Sequence, residues 1–326
     1  MQLPTQADVQ AAATRLHGRV VRTPMLRNAL LDRLTGGTIL VKAEPLQRTG
    51  SFKFRGATNA LLQLSDAQRA AGVVTHSSGN HGQAVACAAA ALGMQATIFM
   101  PADAPRVKVD ATRRWGAEIV HYDRVRDNRE EMTAGFAART GATLVPPYEH
   151  PHVIAGQGTL ALELSEDAQA EGLALDSLLV CTGGGGMIAG CALALEGSGT
   201  AVLAVEPQGW DDTGRSLASG RREANDGRAS QLCDALLAPI PGELTFAVNG
   251  PRLAGGLAVS DQEVLEAVAF AFTHLKLVVE PGGAVALAAV LSGRLETAGR
   301  VIGVVASGGN VDPAVFQRAL AATPQS

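Results

Sequence analysis

A single lysine stands in a setting that suits covalent chemistry. Lys53 lies between Phe52 and Phe54 in the stretch Thr-Gly-Ser-Phe-Lys-Phe-Arg-Gly-Ala, residues 49–57. Leucines at helical spacing follow from Ala60, which predicts the lysine at the point where a loop enters a helix. Aromatic surface disfavours the ammonium form and lowers the pKa, so the amine becomes a nucleophile able to form a Schiff base. The alternative is a surface lysine whose stem lies along apolar neighbours while its charge reaches water.

Four consecutive glycines form a second candidate site. Residues 183–186 are all glycine and stand between apolar stretches at 177–181 and 188–194, which read as a strand and a helix. A backbone without Cβ atoms can wrap an anion with converging N–H groups at a positive helix end. A flexible linker is the alternative, but this context favours phosphate binding. No Gly-Lys-Ser/Thr follows, so the run is not a Walker loop.

A third motif, Ser-Ser-Gly-Asn-His-Gly, occupies residues 77–82 between a predicted strand at 73–76 and an alanine-rich helix at 83–92. Strand, turn and helix in this order present backbone N–H groups to a carboxylate or phosphate. The alternative is an ordinary turn in which serine and asparagine cap the helix.

These motifs resemble those of the serine/threonine dehydratase family of fold type II pyridoxal-phosphate (PLP) enzymes, which includes threonine dehydratases, serine racemases and 3-hydroxyaspartate dehydratases. Residues 51–57 resemble the cofactor attachment site, and the likeness extends over about 22–312. It implies an α/β, tryptophan synthase β-like fold of two domains, with twisted, largely parallel sheets flanked by helices. The large PLP-binding domain would comprise residues 1–71 and 150–326, and a small mobile domain residues 72–149.

The resemblance implies how the cofactor is held. Lys53 would carry it as a Schiff base, with Phe52 beside it, and Asn80 would hydrogen-bond its 3-oxygen. Ser307 would hydrogen-bond the pyridine nitrogen, and a hydroxyl there leaves the ring largely unprotonated. Glu280 would lie under the ring, although capping of the helix that follows is an equally good account. The phosphate would be held by Gly183, Gly184, Gly185, Gly186 and Met187.

The resemblance also implies a substrate side. The residues of the carboxylate loop would be Ser77, Ser78, Gly79, Asn80 and His81, with His81 packing the loop. Ser78 matches a serine that racemases place opposite the lysine as a second acid/base; many dehydratases carry alanine there. Arg129 aligns with an arginine at the substrate end of the cleft, where a guanidinium can fork onto a second carboxylate. Alternatively, Arg129 is an exposed helix residue paired with acidic neighbours, namely Asp127, Glu130 and Glu131.

A cation site is implied on the loop after a predicted strand at 201–206. Glu206, Asp212 and the backbone carbonyl of Trp210 match the divalent-cation site of metal-activated racemases and dehydratases. Oxygen ligands of this kind suit Mg²⁺ or Ca²⁺. Alternatively, the two acids are solvated residues of an exposed loop.

The family likeness implies a dehydratase, or ammonia-lyase, that converts serine, threonine or 3-hydroxyaspartate to a 2-keto acid and ammonia. Lys53 would take the Cα proton. Three alternatives remain: a racemase on the same scaffold, a β-replacing synthase (less favoured because its loops differ from residues 78–81), and a non-catalytic amino-acid-binding protein.

The elements that must position these residues alternate along the chain. A β-α-β-α-β pattern over about 72–150 predicts the compact small domain. Residues 154–159 are expected to serve packing and a hinge, and residues 214–249 to be irregular. With 47% hydrophobic residues, 4% aromatic residues and 37 glycines, the composition suits helices packed closely on a parallel sheet.

Composition also excludes several classes of protein. The net charge of −4 provides no basic face for nucleic acid. The polar start, residues 1–10, is unlike a signal peptide, and no apolar run is long enough to span a membrane. The four cysteines are scattered, so buried free thiols in the cytoplasm are expected. The family likeness implies a homodimer without a regulatory extension.

Overall fold

The computed structural model describes residues 2–77, 79–104, 106–123 and 125–322, with the backbone alone at Val107. The strands within these residues are β1 (Met25–Leu26), β2 (Thr38–Ala43), β3 (Val73–His76), β4 (Ala96–Pro101), β5 (Glu118–Tyr122), β6 (Thr143–Leu144), β7 (Ser177–Cys181), β8 (Ala201–Pro207), β9 (Gly255–Val259) and β10 (Val301–Ala306).

The helices surround these strands. They are α1 (Gln6–Leu16), α2 (Ala29–Thr35), α3 (Lys53–Leu62), α4 (Asp66–Ala71), α5 (Asn80–Ala91), α6 (Arg106–Arg113), α7 (Arg129–Thr140), α8 (Pro151–Ala170), α9 (Gly186–Ala194), α10 (Asp212–Ser219), α11 (Glu243–Asn249), α12 (Asp261–Phe270), α13 (Pro281–Leu291) and α14 (Pro313–Leu320). A π-helical turn, Ala271–Leu275, extends α12.

The larger sheet has six strands in the order β1-β2-β10-β7-β8-β9. All its pairings are parallel except that of β1 with β2. Every residue of β7 is buried, as are five of the six residues of β2 and of β10. Strands buried along their whole length require helices on both faces, which is typical of parallel sheets in α/β proteins. The predicted fold class is therefore confirmed.

The smaller sheet has four parallel strands in the order β5-β4-β3-β6. Its strands come from one continuous part of the chain and lie within the predicted small domain, residues 72–149. Its core is distinct from that of the larger sheet and includes one face of α3, with Phe54 and Leu61. The domain borders, and the mobility of the small domain, stay predictions.

Glycines let three helices touch through their backbones. A Cβ atom on Gly156 of α8 would lie 2.7 Å from the Cα of Gly56 in α3. A Cβ on Gly158 would lie 2.4 Å from the carbonyl oxygen of Gly190 in α9. The packing role expected of residues 154–159 agrees with these contacts, whereas the hinge role stays a prediction.

One prediction about secondary structure is wrong. Residues 214–249 do not form an irregular segment throughout, because they include most of α10 and all of α11. Both helices are short, and prolines and glycines stand between them, so helical periodicity is weak. The predicted burial of the free cysteines is confirmed for Cys87, Cys181, Cys191 and Cys233, whereas their cytoplasmic setting stays a prediction.

A buried ionic cluster fixes the helix that begins at Lys53. The Arg55 guanidinium is fully buried and donates to both carboxylate oxygens of Glu44, at 2.9 and 2.8 Å. It also donates to Glu163 at 2.7 Å, and Lys42 donates to the other oxygen of Glu163 at 2.7 Å. The cluster thereby joins β2 and the turn after it to α3 and α8.

Replacing Arg55 by Met should strongly destabilise the protein, because the Glu44 carboxylate then stays buried without its guanidinium. Removing one partner of a buried ion pair costs about 3–5 kcal/mol, which urea unfolding can measure. Arg221→Met is the control, since the Arg221–Glu223 pair lies at the surface and should contribute little. Similar losses in the two variants would contradict the prediction.

Candidate active site

Lys53 is the first residue of α3, as the sequence predicts, and its amine points into the protein. Nζ donates to the carbonyl oxygen of Pro147 at 2.8 Å and lies 5.2 Å from the centroid of the Phe52 ring. Burial lowers the Lys53 pKa to about 8. The residue as a whole is half-buried, so these contacts disfavour an amine that reaches water, and the cofactor role of Lys53 stays a prediction.

The loop before Lys53 pairs with the loop that follows β10. The N–H of Phe52 donates to the carbonyl oxygen of Ser307 at 3.1 Å, and Ser51 forms an antiparallel bridge with Gly308. Ser307 is buried, and its own N–H donates to the carbonyl oxygen of Gly283 in α13 at 3.2 Å. The structure thus brings the proposed attachment lysine and the proposed pyridine partner to one place.

Asn80 and Glu280 meet at the same place. The Asn80 amide donates to Oε1 of Glu280 at 2.5 Å and accepts from the amide of Asn310 at 2.7 Å. Burial raises the Glu280 pKa to about 7, and the bond from Asn80 opposes that rise. Glu280 precedes α13, but its side chain forms no capping hydrogen bond among the described residues. Glu280 is nevertheless the N-cap residue of α13, so its place under the ring and its role at the helix N-terminus both stay predictions.

The carboxylate loop enters α5 at Gly79, where no described side chain caps the helix. Of the possible caps, Asn80 instead bonds Glu280, and Oγ of Ser77 accepts from the N–H of Gly79 at 3.2 Å. Ser78 lies outside the described residues, so its predicted acid/base role stays a prediction.

His81 is the second residue of α5, and it is buried with a defined tautomer. Nε2 lies 2.8 Å from the carbonyl oxygen of Val145, and a carbonyl only accepts, so Nε2 carries the proton. Nδ1 is then an acceptor, and it has no hydrogen-bond partner among the described residues. Burial, aided by the charge of Lys53, lowers the His81 pKa to about 3. His81 is therefore neutral, which agrees with the predicted packing role.

The glycine run lies between β7 and α9 and is enclosed on several sides. A Cβ atom on Gly184 would lie 2.4 Å from the Tyr148 ring, and one on Gly186 would lie 2.8 Å from the Cβ of Tyr148. Gly185 has a left-handed φ of 87°, and a Cβ there would lie 2.9 Å from Nδ2 of Asn249. Only glycine satisfies these contacts, and the run ends in the first turn of α9, where N–H groups favour an anion. These features fit a phosphate site. A flexible linker would not need neighbours this close to its glycines. Met187 follows the glycines in the first turn of α9.

Arg129 is the first residue of α7, and its side chain is 43% exposed. Its Nε donates to Glu130 at 2.8 Å, which matches the alternative account of a surface ion pair. The guanidinium charge also acts on Tyr148, whose pKa is raised by burial and held down by Arg129. The substrate role of Arg129 stays a prediction.

The two acids of the implied cation site are buried, so the account of solvated loop residues is wrong. The Glu206 carboxylate accepts from the N–H groups of Thr213 and Gly214, both at 2.9 Å. Oδ1 of Asp212 accepts from Asn225 at 2.7 Å, and Oδ2 is buried with no partner in the described part of the chain. Burial raises the pKa of Glu206 to about 8, helped by the charge of Asp212, and that of Asp212 to about 6.

This arrangement fits a hard cation, because an orphaned carboxylate oxygen lies beside a second buried acid. Trp210, which would offer its backbone carbonyl, is itself buried and held by an indole N–H bond to the carbonyl oxygen of Ser230 at 2.8 Å. No group of three or more His, Cys, Asp or Glu side chains suited to a metal occurs among the described residues. The fit therefore rests on two carboxylates and a carbonyl.

Several residues of the site lack a sequence signal. Pro147 accepts from Lys53, and Tyr148 covers the glycine run. Thr245 and Asn249 approach the same glycines from α11. A run of glycines in a sequence indicates that other groups pack closely against its backbone. It does not indicate which residues, distant in the chain, provide those groups.

The chain belongs to the family described as pyridoxal-phosphate dependent enzymes, whose model matches residues 17–308. It is 45% identical over 314 residues to an L-threo-3-hydroxyaspartate ammonia-lyase from Pseudomonas sp, covering 96% of this chain and 97% of the relative. It is 41% identical to the serine racemase of Schizosaccharomyces pombe, covering 95% of each chain. A solved threonine deaminase, from the organism abbreviated T.th., superposes with a TM-score of 0.88 at 42% identity, covering 95% of this chain and 99% of the other. The predicted family is thereby confirmed.

The rate at which the apo protein captures PLP should depend on pH through Lys53. Below its pKa of about 8 the amine is protonated and unreactive, so the rate should rise about ten-fold per pH unit and level off above that value. Growth of absorbance near roughly 410 nm after mixing reports the reaction. Lys53→Arg is the control and should produce no band. A rate that keeps rising towards the ordinary lysine pKa of about 10.4 would contradict the prediction.

Proposed function

We propose that this chain is a PLP-dependent ammonia-lyase that converts a small β-hydroxy amino acid to a 2-keto acid and ammonia. The observation that carries the proposal is the Lys53 amine, which is buried with a pKa lowered to about 8 beside the Ser307 loop. Support also comes from relatives of matching length whose names include 3-hydroxyaspartate ammonia-lyase and threonine deaminase.

The residues of the site have separate tasks. PLP, when bound, supplies an electron sink for charge that develops at the substrate Cα. The groups that would hold it are Phe52, Lys53, Asn80, Gly183, Gly184, Gly185, Gly186, Met187, Glu280 and Ser307. Lys53, freed when the substrate amine displaces it, would take the Cα proton as a neutral amine, and the β-hydroxyl would take up a proton and leave as water. The released aminoacrylate would then react with water to give the 2-keto acid and ammonia. The N–H groups at the start of α5 hold the α-carboxylate, because a helix N-terminus favours negative charge.

The substrate class includes dicarboxylic 3-hydroxyaspartate beside serine and threonine. Arg129 supplies the recognition, because a guanidinium can form two parallel hydrogen bonds with a second carboxylate. The electrostatic influence of Arg129 on Tyr148, whose ring lies against Gly184, supports this assignment. To serve this role, Arg129 exchanges its bond with the exposed Glu130 for the substrate.

A divalent cation, Mg²⁺ or Ca²⁺, belongs to the proposal as a structural ligand of Glu206, Asp212 and the Trp210 carbonyl. The support is the orphaned Oδ2 of Asp212, since a cation would pair a carboxylate oxygen that otherwise lacks a partner among the described residues. The cation would also relieve the repulsion between the two acids.

We further propose a homodimer in the cytoplasm. Exposed apolar side chains suit self-association, and Leu46, Trp115 and Val278 are among them. The four buried free thiols suit a reducing compartment. None of the described helices combines the length and apolar character that crossing a membrane requires.

A substrate panel tests the reaction. Purified enzyme is supplied with L- and D-serine, L-threonine and the diastereomers of 3-hydroxyaspartate, and 2-keto acid and ammonia are measured. We expect keto acid from at least one of these substrates. The second candidate is racemisation, which the similarity to serine racemase favours. Exchange of the α-proton with inversion but without keto acid would establish the racemase and contradict the lyase.

Arg129→Ala should lower kcat/KM for 3-hydroxyaspartate by about 10–100-fold, because it removes a charge-assisted bond of about 1.5–3 kcal/mol. The value for serine should stay within about two-fold, since serine has no second carboxylate. Arg126→Ala is the matched control, because Arg126 is 85% exposed just before the same helix. Equal losses for both substrates would contradict the specificity role.

Removal of divalent cations should lower the thermal stability of the enzyme. A chelator would leave Glu206 and Asp212 buried together without a counter-charge, and a ligand that binds only the folded state stabilises it. We expect a lower midpoint of thermal unfolding that Mg²⁺ or Ca²⁺ restores. Glu206→Gln should abolish the response to the cation, and an unchanged midpoint in the chelated wild-type enzyme would contradict the cation site.

A further inference from the structure

Helix α11 packs on the outer side of the glycine run and bonds its carbonyl groups. Oγ1 of Thr245 donates to the carbonyl oxygen of Gly184 at 2.8 Å, and Nδ2 of Asn249 donates to that of Gly185 at 3.2 Å. Both side chains are buried, at 0% and 1% exposure. Neither residue belongs to a motif, and both lie in the stretch that the sequence suggested to be irregular.

These bonds determine which way the N–H groups of the run point. In a planar trans peptide the carbonyl and the next N–H point in opposite directions. Because Thr245 holds the carbonyl of Gly184 towards α11, the N–H of Gly185 points away from α11. The carbonyl of Gly185 accepts from both Asn249 and Ala189. The N–H of Gly186 therefore points outwards from the N-terminal end of α9.

Helix α11 is itself held in place by Glu149. The two oxygens of this carboxylate accept from the N–H groups of Leu244 and Thr245, both at 3.1 Å. Glu149 follows Tyr148, whose ring lies against Gly184. A Cβ on Gly242 would lie 1.8 Å from Oε1 of Glu149, so a larger residue there would displace this carboxylate. The glycine run therefore lies between the Tyr148 ring and α11. The neighbouring residue Glu149 holds α11 in place.

We propose that Thr245 is a positioning residue for the cofactor phosphate, acting through the Gly184–Gly185 peptide, with Asn249 and Glu149 as its supports. The inference rests on the proposed assignment of residues 183–186 to the phosphate. Thr245 does not touch the phosphate; it keeps one N–H donor aimed at it. Preorganised donors bind an anion more tightly because no reorientation is needed on binding.

The test compares PLP with pyridoxal, which lacks the phosphate, in titrations of apo protein followed near roughly 410 nm. Thr245→Val removes the hydroxyl and keeps the shape of the side chain. It should weaken PLP binding about ten-fold, the factor expected for one lost hydrogen bond, and leave pyridoxal binding unchanged. Thr245→Ser should restore PLP affinity, and Glu149→Gln should show a smaller loss that is also confined to PLP.

Thr297→Val is the matched control, because Thr297 is also buried and donates its hydroxyl to a backbone carbonyl, that of Thr35 at 2.5 Å. It should leave both affinities unchanged. Equal losses for PLP and pyridoxal in Thr245→Val, or no loss for either, would overturn the inference. A wild-type chain that binds pyridoxal as tightly as PLP would instead overturn the phosphate assignment of the glycine run.

Discussion

The position of the active-site lysine depends on the ion pairs of the buried Arg55 guanidinium with Glu44 and Glu163. A charge removed from water is tolerated only where opposite charges and hydrogen bonds surround it, and here Glu44 and Glu163 provide both. These two acids come from the turn after β2 and from α8, so the start of α3 cannot shift without separating charges. Lys53 lies two residues before Arg55 in the same helix, so the ion pairs of Arg55 also hold Lys53 in place.

Close backbone contact is the second constraint, and it recurs from the core to the site. Gly156 against Gly56 sets the distance between α8 and α3, and Gly184 sets the distance between the glycine run and Tyr148. The low aromatic content of the chain, 4%, agrees with packing in which small residues bring elements together. Small residues therefore set close distances both in the core, at Gly56 and Gly156, and in the glycine run, at Gly184.

The sequence predicted the parts of the fold that depend on local signals. Buried parallel strands such as β7 carry continuous apolar runs, and the site motifs follow directly after strands or at helix starts, so both were predictable. Contacts that join distant segments were not. Tyr148 covers Gly184, and Thr245 bonds the same glycine across 61 positions of chain, without any local pattern to indicate the pairing. Burial of Glu206 and Asp212 was missed for the same reason, since acids on a loop ordinarily face water.

The neutral state of His81 affects how the enzyme responds to ionic strength. An imidazole with a pKa of about 3 carries no charge near neutral pH, so under the proposed substrate role the loop would attract a carboxylate through backbone dipoles at short range. Dissolved ions screen such dipoles little, whereas they weaken the attraction between a partly exposed guanidinium and a carboxylate. Under the proposed roles, binding of serine is insensitive to salt, and the salt dependence of 3-hydroxyaspartate binding originates at Arg129.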